Sequence, residues 1–464
     1  MCLALDVSSL ERQYSSLGRR AVHPRRKLAV LVYASLTGLH EASRIERAAK
    51  TDAAFQFLSG GHNVSATMLR TFQRENVEFF QNALEQTVQI AAELELLDGR
   101  ELALDSVRVR ADASSKSIRT LNRSRERLEE LGRIDRDGLD EAAKVIHDAK
   151  VKKHTEAVRR CEDEGRTSLS VTTPSAALLK FPSGAALPGH RVTVAAAGVK
   201  LRFVVAVVLG SAATDHGLLR PATLETQRIL QKSGITGQLQ MAADAGFRSH
   251  DDLQFAIDHR SEVDILVNDP PEPRRQKSKK KGGIFSKAEF DFREDGTVHC
   301  PAGRQMEGPV KAGKGKIRWR GVGCEGCALR QNCTTVGTRQ VIVDEERERL
   351  HRATRDRMAE DGAAERYRRR IATVEPVFAY IEDAMGFTRA STRHTQAVHA
   401  QILLKILAYN LGRLFFCPSD QLAWVEGVFD GQNIKTTAVN VVSARSSSRL
   451  GANPISADPV NAER

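Results

Sequence analysis

Residues 102–114 have the sequence LALDSVRVRADAS, and the rest of the chain can be placed around them. Apolar and polar residues largely alternate in this stretch, which is the period of a strand with one buried face. One acidic residue, Asp105, stands where the strand is expected to be buried. Because an unpaired ionised group inside a sheet is costly, Asp105 should either meet a cation or lie at the rim of the sheet facing water.

Strands and helices alternate on the C-terminal side of this stretch. Residues 191–210 predict two strands joined by a turn at Gly198. The pattern then predicts a helix, a strand ending at Asp244, a second helix, another strand and a last helix around Glu375; the first four of these lie at about 218–232, 238–243, 250–259 and 263–268. An antiparallel set followed by strands that alternate with helices indicates a mixed sheet in an α/β layer.

Two later acidic residues lie in surroundings similar to those of Asp105. Asp244 closes the run QLQMAAD, and Glu375 lies within RRRIATVEPVFAYIED. Taken singly, each acid is better explained as a helix cap or a surface salt bridge. Three carboxylates brought together by a fold, however, make a site for hard divalent cations such as Mg²⁺.

The composition and charge limit the classes of protein to which the chain can belong. The chain has 464 residues and a formal charge of +12, with 70 Lys and Arg against 58 Asp and Glu. Such a charge favours a polyanion as partner, although a merely soluble basic protein explains it equally well. No apolar run is long enough for a membrane span, and the N-terminus lacks the pattern of a signal peptide, so we expect a cytoplasmic protein.

Residues 25–97 are almost wholly helical by their pattern. Pro24 precedes the first helix, and Gly38, Gly60 and Gly61 mark breaks. The last of these helices is expected to begin at about Ser65 and to place apolar residues from position 68 to position 91 largely on one face. We interpret residues 1–100 as a helical N-terminal domain.

A charged arm is predicted at 119–166, within an insert at 115–170. It is dense in Arg, Glu and Asp, and a thin apolar stripe suits a projecting helix or helical hairpin, at Leu121, Leu128, Leu131, Ile134 and Leu139. A solvated arm is the favoured interpretation of this charge pattern, ahead of a specific binding role.

A large insertion, 269–361, separates the last predicted strand from the Glu375 helix. It opens with DPPEPRRQKSKKKGG, where six Lys or Arg residues occupy the eight positions 274–281 and end in Lys279, Lys280 and Lys281. Such a run is usually a solvated loop; in a protein that binds a polyanion, contact with phosphates is at least as reasonable.

Cysteines crowd into the same insertion. Four of the seven in the chain are Cys300, Cys324, Cys327 and Cys333. Their spacing, C-x23-C-x2-C-x5-C, is compatible with a tetrahedral Zn²⁺ site, although only one CxxC pair is present where a zinc ribbon usually has two. The alternative is a reduced, partly buried thiol cluster without metal.

The C-terminal part of the chain changes character twice. A long apolar helix at 397–416 is expected to pack behind the sheet, and the tail at 421–464 is expected to be disordered because Ser, Ala, Asn and Pro dominate it from about Lys435. The predicted catalytic domain therefore comprises 101–268 and 362–420, interrupted by the insertion at 269–361.

These residues resemble a known family. An Asp on the first strand, an Asp after the fourth and a Glu on a following helix resemble the ribonuclease-H-like fold of DDE transposases, and most closely the bacterial insertion-sequence family numbered eleven eighty-two, which has a cysteine cluster before its Glu. The resemblance runs from about Tyr14 to Phe416, through fragments that are weak singly and strong in order: HPRRKLAVLVYASLTGLHEASRIERAAKTDAAFQFLSGG, LALDSVRVRADAS, AADAGFRS, CPAG, CEGCALRQNC, VEPVF, GFTR and AYNLGRL.

The resemblance implies a DNA transposase. Asp105, Asp244 and Glu375 would hold two Mg²⁺ (or Mn²⁺) ions that support in-line phosphoryl transfer at the ends of an insertion sequence. Its partners would be double-stranded DNA, at terminal inverted repeats and target, and a second copy of the chain, with the protein near the nucleoid. The helical domain would then be a DNA-end-binding module or, equally well, a cap packed on the next domain.

The same resemblance implies a role for the basic residues. Lys279, Lys280 and Lys281, together with Arg318 and Arg320 on either side of Trp319, become candidates for contact with DNA. The alternatives to an active transposase are a degenerate copy that binds DNA without cutting it and a nuclease relative that acts on other nucleic acids.

The chain departs from the family pattern at several positions. Ser106 and Val107 follow the first Asp in place of a DGT-like turn, TTPSAALLK and GHRVTV replace an acidic segment and a Tyr-Asn-x-Gln stretch, and Glu382 stands where a Lys is common. The three carboxylates themselves are all present.

Overall fold

The computed structural model describes residues 2–14, 21–97, 100–210, 214–269, 285, 287–293, 295–313 and 315–416. Its helices there are α1 (Ser8–Glu11), α2 (Pro24–Leu36), α3 (Ala42–Thr51), α4 (Ala53–Ser59), α5 (Ala66–Glu75), α6 (Val77–Glu93), α7 (Leu121–Gly132), α8 (Glu141–Asp163), α9 (Leu219–Lys232), α10 (His250–Asp258), α11 (Glu345–Ala359), α12 (Ala363–Ala379) and α13 (Thr395–Phe416). The basic run with Lys279, Lys280 and Lys281 and the tail at 421–464 lie outside the described residues.

The strands are β1 (Glu101–Arg110), β2 (Ile118–Thr120), β3 (Ser168–Ser170), β4 (Ala177–Lys180), β5 (Ala186–Ala197), β6 (Phe203–Gly210), β7 (Leu239–Ala243), β8 (Val263–Val267), β9 (Asp291–Phe292), β10 (Val298–His299), β11 (Glu307–Lys311), β12 (Lys316–Arg320) and β13 (Gln340–Asp344). The predicted α/β organisation is confirmed. Two features differ from the prediction. Strand β5 begins before residue 191, and β4, which sequence patterning missed, pairs with that extension.

The main sheet is mixed, as predicted. Its order is β4-β5-β1-β7-β8, with β6 also paired to β5. The pairings β1–β5 and β5–β6 are antiparallel, and β1–β7 and β7–β8 are parallel. The strand with Asp105 therefore lies in the interior of the sheet, where its two neighbours fix the position of that carboxylate.

The side chains of the main sheet point alternately to its two faces, so the hydrophobic core has one layer on each face. Ala103 and Val109 face one layer with α2, α5 and α13, whereas Leu102 and Leu104 face the other with α9 and α10. Because side chains alternate along a strand, Asp105 shares the face of Ala103. This is the face that α12 crosses, with its Val374 buried in the same layer.

Helix α13 lies in the middle of the first layer, against α2, α5, α6 and β6, as expected for the long apolar helix. Its fully buried Asn410 accepts a hydrogen bond from the backbone nitrogen of Val204 at 3.1 Å. Its Nδ2 donates to the Val204 carbonyl at 2.8 Å and to Oγ1 of Thr87 at 3.0 Å. One amide thus joins α13, β6 and α6.

Replacing Asn410 with Leu is expected to lower the free energy of unfolding by about 3 kcal/mol, because both peptide groups of Val204 and the hydroxyl of Thr87 lose a buried partner. Urea unfolding followed by circular dichroism measures the change. The matched control is Asn122→Leu at an exposed position of α7, which should leave the midpoint nearly unchanged. Equal midpoints for the two variants would contradict the role assigned to Asn410.

One N-terminal prediction is wrong. The last helix was expected to run from about Ser65 through position 91, but it is broken into α5 and α6 at Asn76. The Nδ2 of Asn76 donates to the carbonyl of Phe72 at 2.7 Å, and its Oδ1 accepts from Gln13 at 3.1 Å. A buried Asn that bonds the preceding turn competes with continuation of the helix.

The N-terminal helices share a core with the sheet. Leu28, Phe72 and Phe80 belong to the same buried cluster as Val194 of β5 and Leu407 of α13. These helices therefore cap one face of the sheet, which is one of the two arrangements considered for them.

Helices α7 and α8 form the projecting hairpin that the charge pattern predicted. They contact each other and, at their base, β2 and β3. Ion pairs at exposed positions link them, such as Arg125 to Glu162 at 2.6 Å and Arg136 to Asp148 at 2.6 Å. Such exposed pairs add little stability, so the hairpin is a largely solvated arm.

The cysteine-containing insertion has a small core of its own. Trp319 on β12 is buried with Phe290, Val298, Met306 and Val341. After β13 the chain enters α11, where Arg355 binds the buried Asp269 at 3.1 Å. This ion pair ties the return of the insertion to the end of β8.

None of the described helices has the length and apolar character needed to cross a membrane.

Candidate active site

Asp105 lies in the middle of β1, opposite Val194 of β5. Its Oδ2 accepts a hydrogen bond from Nη1 of Arg370 at 2.7 Å, and its Oδ1 accepts one from the backbone nitrogen of Ser106 at 2.7 Å. Burial raises the pKa of the Asp105 carboxyl, Arg370 and the Ser106 amide oppose that rise, and Asp244 adds to it. Of the two environments expected for this carboxylate, a cation or the sheet rim facing water, the structure has the cation.

Asp244 follows directly on β7. The parallel register pairs Leu104 of β1 with Ala243, the last residue of β7. Asp105 and Asp244 each directly follow one member of this pair, so they are neighbours. Oδ1 of Asp244 lies 3.7 Å from Nη2 of Arg370. The fold therefore brings these two acids together, as predicted, with one guanidinium between them.

Arg370 comes from α12, where it is buried at 7% exposure. Burial disfavours its charge, but Asp105, Tyr367 and Asp244 outweigh burial and raise the pKa of the guanidinium. The Tyr367 ring lies one turn earlier, with its centroid 5.7 Å from the guanidinium carbon, which is within cation–π range. For the Tyr367 hydroxyl, burial itself raises the pKa, because it disfavours the charged phenolate.

Glu375 lies on α12, as predicted, but its side chain is exposed. The residues of α12 that face the sheet include Arg370, Thr373, Val374 and Val377, which are buried. Among the residues the structure describes, no three His, Cys, Asp or Glu side chains form a group that could hold a metal ion. The structure thus assembles two of the three predicted carboxylates.

A cavity of about 420 Å³ lies between α12 and the starts of β1 and β7; Arg370 lines it, whereas Asp105 and Asp244 do not. Its other lining residues include Glu101, Gln240, Arg369 and Thr373. Arg369 binds the exposed Glu101 at 2.8 Å. The cavity therefore offers polar groups within the same region that the Arg370 side chain reaches.

The four cysteines of the insertion converge on a second cavity, of about 20 Å³, which has room for one atom the size of a water molecule. It is lined by Cys300, Cys324, Cys327 and Cys333. Burial raises the pKa of the Cys333 thiol, Arg339 opposes the rise, and the other three cysteines add to it.

Arg318 and Arg320 lie on β12 on either side of the buried Trp319. Because side chains alternate along a strand, the two arginines point away from the small core. Val310 and Ile342, the partners of Arg318 on the neighbouring strands, are 53% and 50% exposed. The outer face of this small sheet is therefore open to solvent.

Sequence reasoning missed Arg370. The chain has three consecutive arginines at 368–370, and their order alone does not tell which one faces inward. A signal was present: a buried acid on β1 requires a cation, and the apolar residues Val374 and Val377 lie one and two helical turns after position 370, which places that position on the buried face.

Two segments of the chain match family models. Residues 3–75 match a transposase domain (DUF772), and residues 299–415 match a transposase DDE domain. The second segment contains the cysteine cluster, Arg370 and Glu375, whereas Asp105 and Asp244 lie between the two matches. No curated protein and no solved structure matches the chain. The chain is therefore similar to transposase domains in two segments, one of them of the DDE type.

Proposed function

We propose that the protein is a DNA transposase that cleaves DNA strands at the ends of an insertion sequence and joins them to a target in a metal-dependent reaction. The observation that carries the proposal is the placement of Asp105 on β1 beside Asp244, which directly follows the adjacent parallel strand β7. The match to a transposase DDE domain over residues 299–415 supports the reaction class.

The sheet supports a ribonuclease-H-like fold for the catalytic domain. Three antiparallel strands, β6, β5 and β1, are followed by the parallel strands β7 and β8, and the acids lie on β1 and directly after β7. The predicted catalytic domain, 101–268 with 362–420, contains all of these elements. The insertion at 269–361 would then be an addition to that domain.

The acid pair fits a divalent cation. Carboxylate oxygens are the ligands that Mg²⁺ and Mn²⁺ prefer, and the guanidinium of Arg370 shows that positive charge is accommodated between them. We propose Asp105, Asp244 and Glu375 as the ligands, with Glu375 completing the set. Bound ions would activate the attacking water or 3′-hydroxyl and stabilise the leaving oxygen.

The basic surface would position the DNA. The net charge of +12 suits a polyanion. Arg318 and Arg320 are available on the outer face of β12, and Lys279, Lys280 and Lys281, outside the described residues, remain candidates for phosphate contact. We further propose a nucleoid-associated cytoplasmic protein that acts as at least two copies, since two DNA ends must be brought together.

The cysteine cluster is proposed to bind one structural Zn²⁺, because Cys300, Cys324, Cys327 and Cys333 line one small cavity. The described side chains do not themselves form a metal site, so the thiols would have to close around the ion. A chelator should release about one zinc per chain from the purified protein, and Cys327→Ser should lower the zinc content to near zero. Elemental analysis measures both. The matched control is Cys161→Ser at a buried position on α8, which should keep its zinc. A wild type without zinc would leave the reduced thiol cluster as the explanation.

One observation favours a second candidate function, a degenerate transposase that binds DNA without cutting it. Glu375 is exposed and stands apart from the acid pair, and Glu382 replaces the usual Lys. Such a protein would bind DNA ends without metal and leave them intact.

A cleavage and strand-transfer assay separates the two functions. The wild-type protein is incubated with Mg²⁺ or Mn²⁺ and DNA that carries the sequences flanking its own gene. Cleaved and joined products support the transposase. Binding without any cleavage by folded protein favours the degenerate copy, and degradation without joining points to a nuclease.

A further inference from the structure

The guanidinium of Arg370 lies where a bound cation would neutralise the acid pair. Its Nη1 is 2.7 Å from Asp105 and its Nη2 is 3.7 Å from Asp244, and its side chain is only 8% exposed. Two carboxylates at adjacent strand positions repel each other, so a positive charge between them stabilises the folded chain while no metal is bound.

The contacts of Arg370 are also incomplete. Its only short bond to the acid pair is the one to Asp105, since 3.7 Å is too long for a hydrogen bond to Asp244. Its Nε is buried without a hydrogen-bond partner. At least one of the five donors of the guanidinium is therefore unused in this arrangement.

A neighbouring cavity offers space for the Arg370 side chain. Arg370 lines the cavity of about 420 Å³ between α12 and the starts of β1 and β7, whose other polar groups include Glu95, Glu101 and Gln240. A rotation of the arginine about its own side-chain bonds would turn its charge from the acid pair towards Glu95 and Gln240, in a cavity that Lys200, Arg366 and Arg369 also line.

We propose that Arg370 is an internal counter-cation of the Asp105–Asp244 pair and that it vacates the pair when a divalent cation binds. The inference rests on the proposed function, because it takes this pair as the metal site. Metal affinity is then set by competition with the arginine, and the unliganded site stays ordered and electrically balanced until an ion arrives.

Mn²⁺ binding to the full chain tests the competition, with free Mn²⁺ measured by electron paramagnetic resonance. Arg370→Gln removes the competing charge and is expected to tighten Mn²⁺ binding at least about tenfold. The matched control is Arg368→Gln, which makes the same charge change at an exposed position of the same helix, outside the cavity. Its affinity should stay within about twofold of the wild type, because an exposed charge is screened.

A second variant separates this inference from the proposed function. Asp105→Asn combined with Asp244→Asn should abolish the Mn²⁺ binding. If it does and Arg370→Gln binds Mn²⁺ no more tightly than the wild type, the acid pair is a metal site but the counter-cation is refuted. If the double variant binds Mn²⁺ as the wild type does, the pair is not the metal site and both ideas fail.

The stability of Arg370→Gln is equally informative. Its melting temperature should fall below that of the wild type in a chelator and should rise more than that of the wild type on addition of Mn²⁺, since the ion replaces the lost charge. A variant that folds only with Mn²⁺ would support the proposal. A variant that stays unfolded in Mn²⁺ would overturn it, because a divalent cation could then not substitute for the arginine.

Discussion

Asp244→Asn is expected to lower metal-dependent DNA cleavage at least about a thousandfold while leaving DNA binding intact. The carboxylate lies at 47% side-chain exposure beside Asp105, so the amide can replace it without leaving a buried group unpaired. What changes is the charge and the oxygen available to a divalent cation. A gel assay with end-labelled DNA and Mg²⁺ measures the rate, and a mobility-shift assay measures binding.

The matched control for this variant is Asp258→Asn, which makes the same change at an exposed position of α10. Cleavage by the control should equal that of the wild type. Cleavage by Asp244→Asn at a rate near that of the control would remove Asp244 from the metal site, and with it the main support for the proposed reaction.

Lys405 should make the stability of the protein rise with pH. It is fully buried on α13, where its Nζ donates to Oγ of Ser35 at 2.8 Å. Burial lowers the pKa of Lys405 to about 7, whereas the unfolded chain keeps the ordinary value of roughly 10.4. Between these two values the unfolded state binds more protons than the folded state.

The free energy of unfolding should therefore increase by up to about 1.4 kcal/mol per pH unit from this group as pH rises above 7, and by about 4–5 kcal/mol over the whole window. Below pH 7 both states are protonated, so the contribution of Lys405 no longer changes with pH. Lys405→Met removes the proton and should flatten this slope. Urea unfolding at pH 7, 8 and 9 measures the difference.

An exposed lysine provides the comparison. Lys50 of α3 pairs with Glu46 at the surface, with 57% of its side chain exposed, and Lys50→Met should keep the slope of the wild type. If Lys405→Met shows the wild-type slope as well, then Lys405 stays charged in the folded protein from pH 7 to pH 9 and the burial argument fails for it.

Much of the sheet could be predicted because its strands carry their period in the sequence. The alternation in LALDSVRVR and the apolar run before Asp244 are long enough to identify β1 and β7. The strand β4 was missed because its ALLK is only four residues long and fits a loop or a helix equally well. The break at Asn76 was missed because it accompanies two side-chain hydrogen bonds, one donated to the Phe72 carbonyl and one accepted from the distant Gln13, which sequence spacing does not reveal.

The candidate site was predictable to a different degree at each acid. Asp105 and Asp244 could be paired because their strands fix their positions, and a parallel register is shared by every residue of two strands. Glu375 could be placed on a helix but not on a face of it, since the side that α12 turns to the sheet depends on packing. Arg370 could have been separated from its two arginine neighbours by its spacing to Val374 and Val377, but only once a buried acid on β1 was known to need a cation.

Asn410 has a consequence beyond the stability it lends to the core. Among the described strands β6 pairs only with β5, so its other edge offers free peptide groups. The carboxamide of Asn410 bonds both the N–H and the C=O of Val204, as the backbone of a neighbouring strand would. An edge strand of this kind invites a further strand from another molecule. At Val204 the side chain therefore occupies two peptide groups with which such a strand would have to pair.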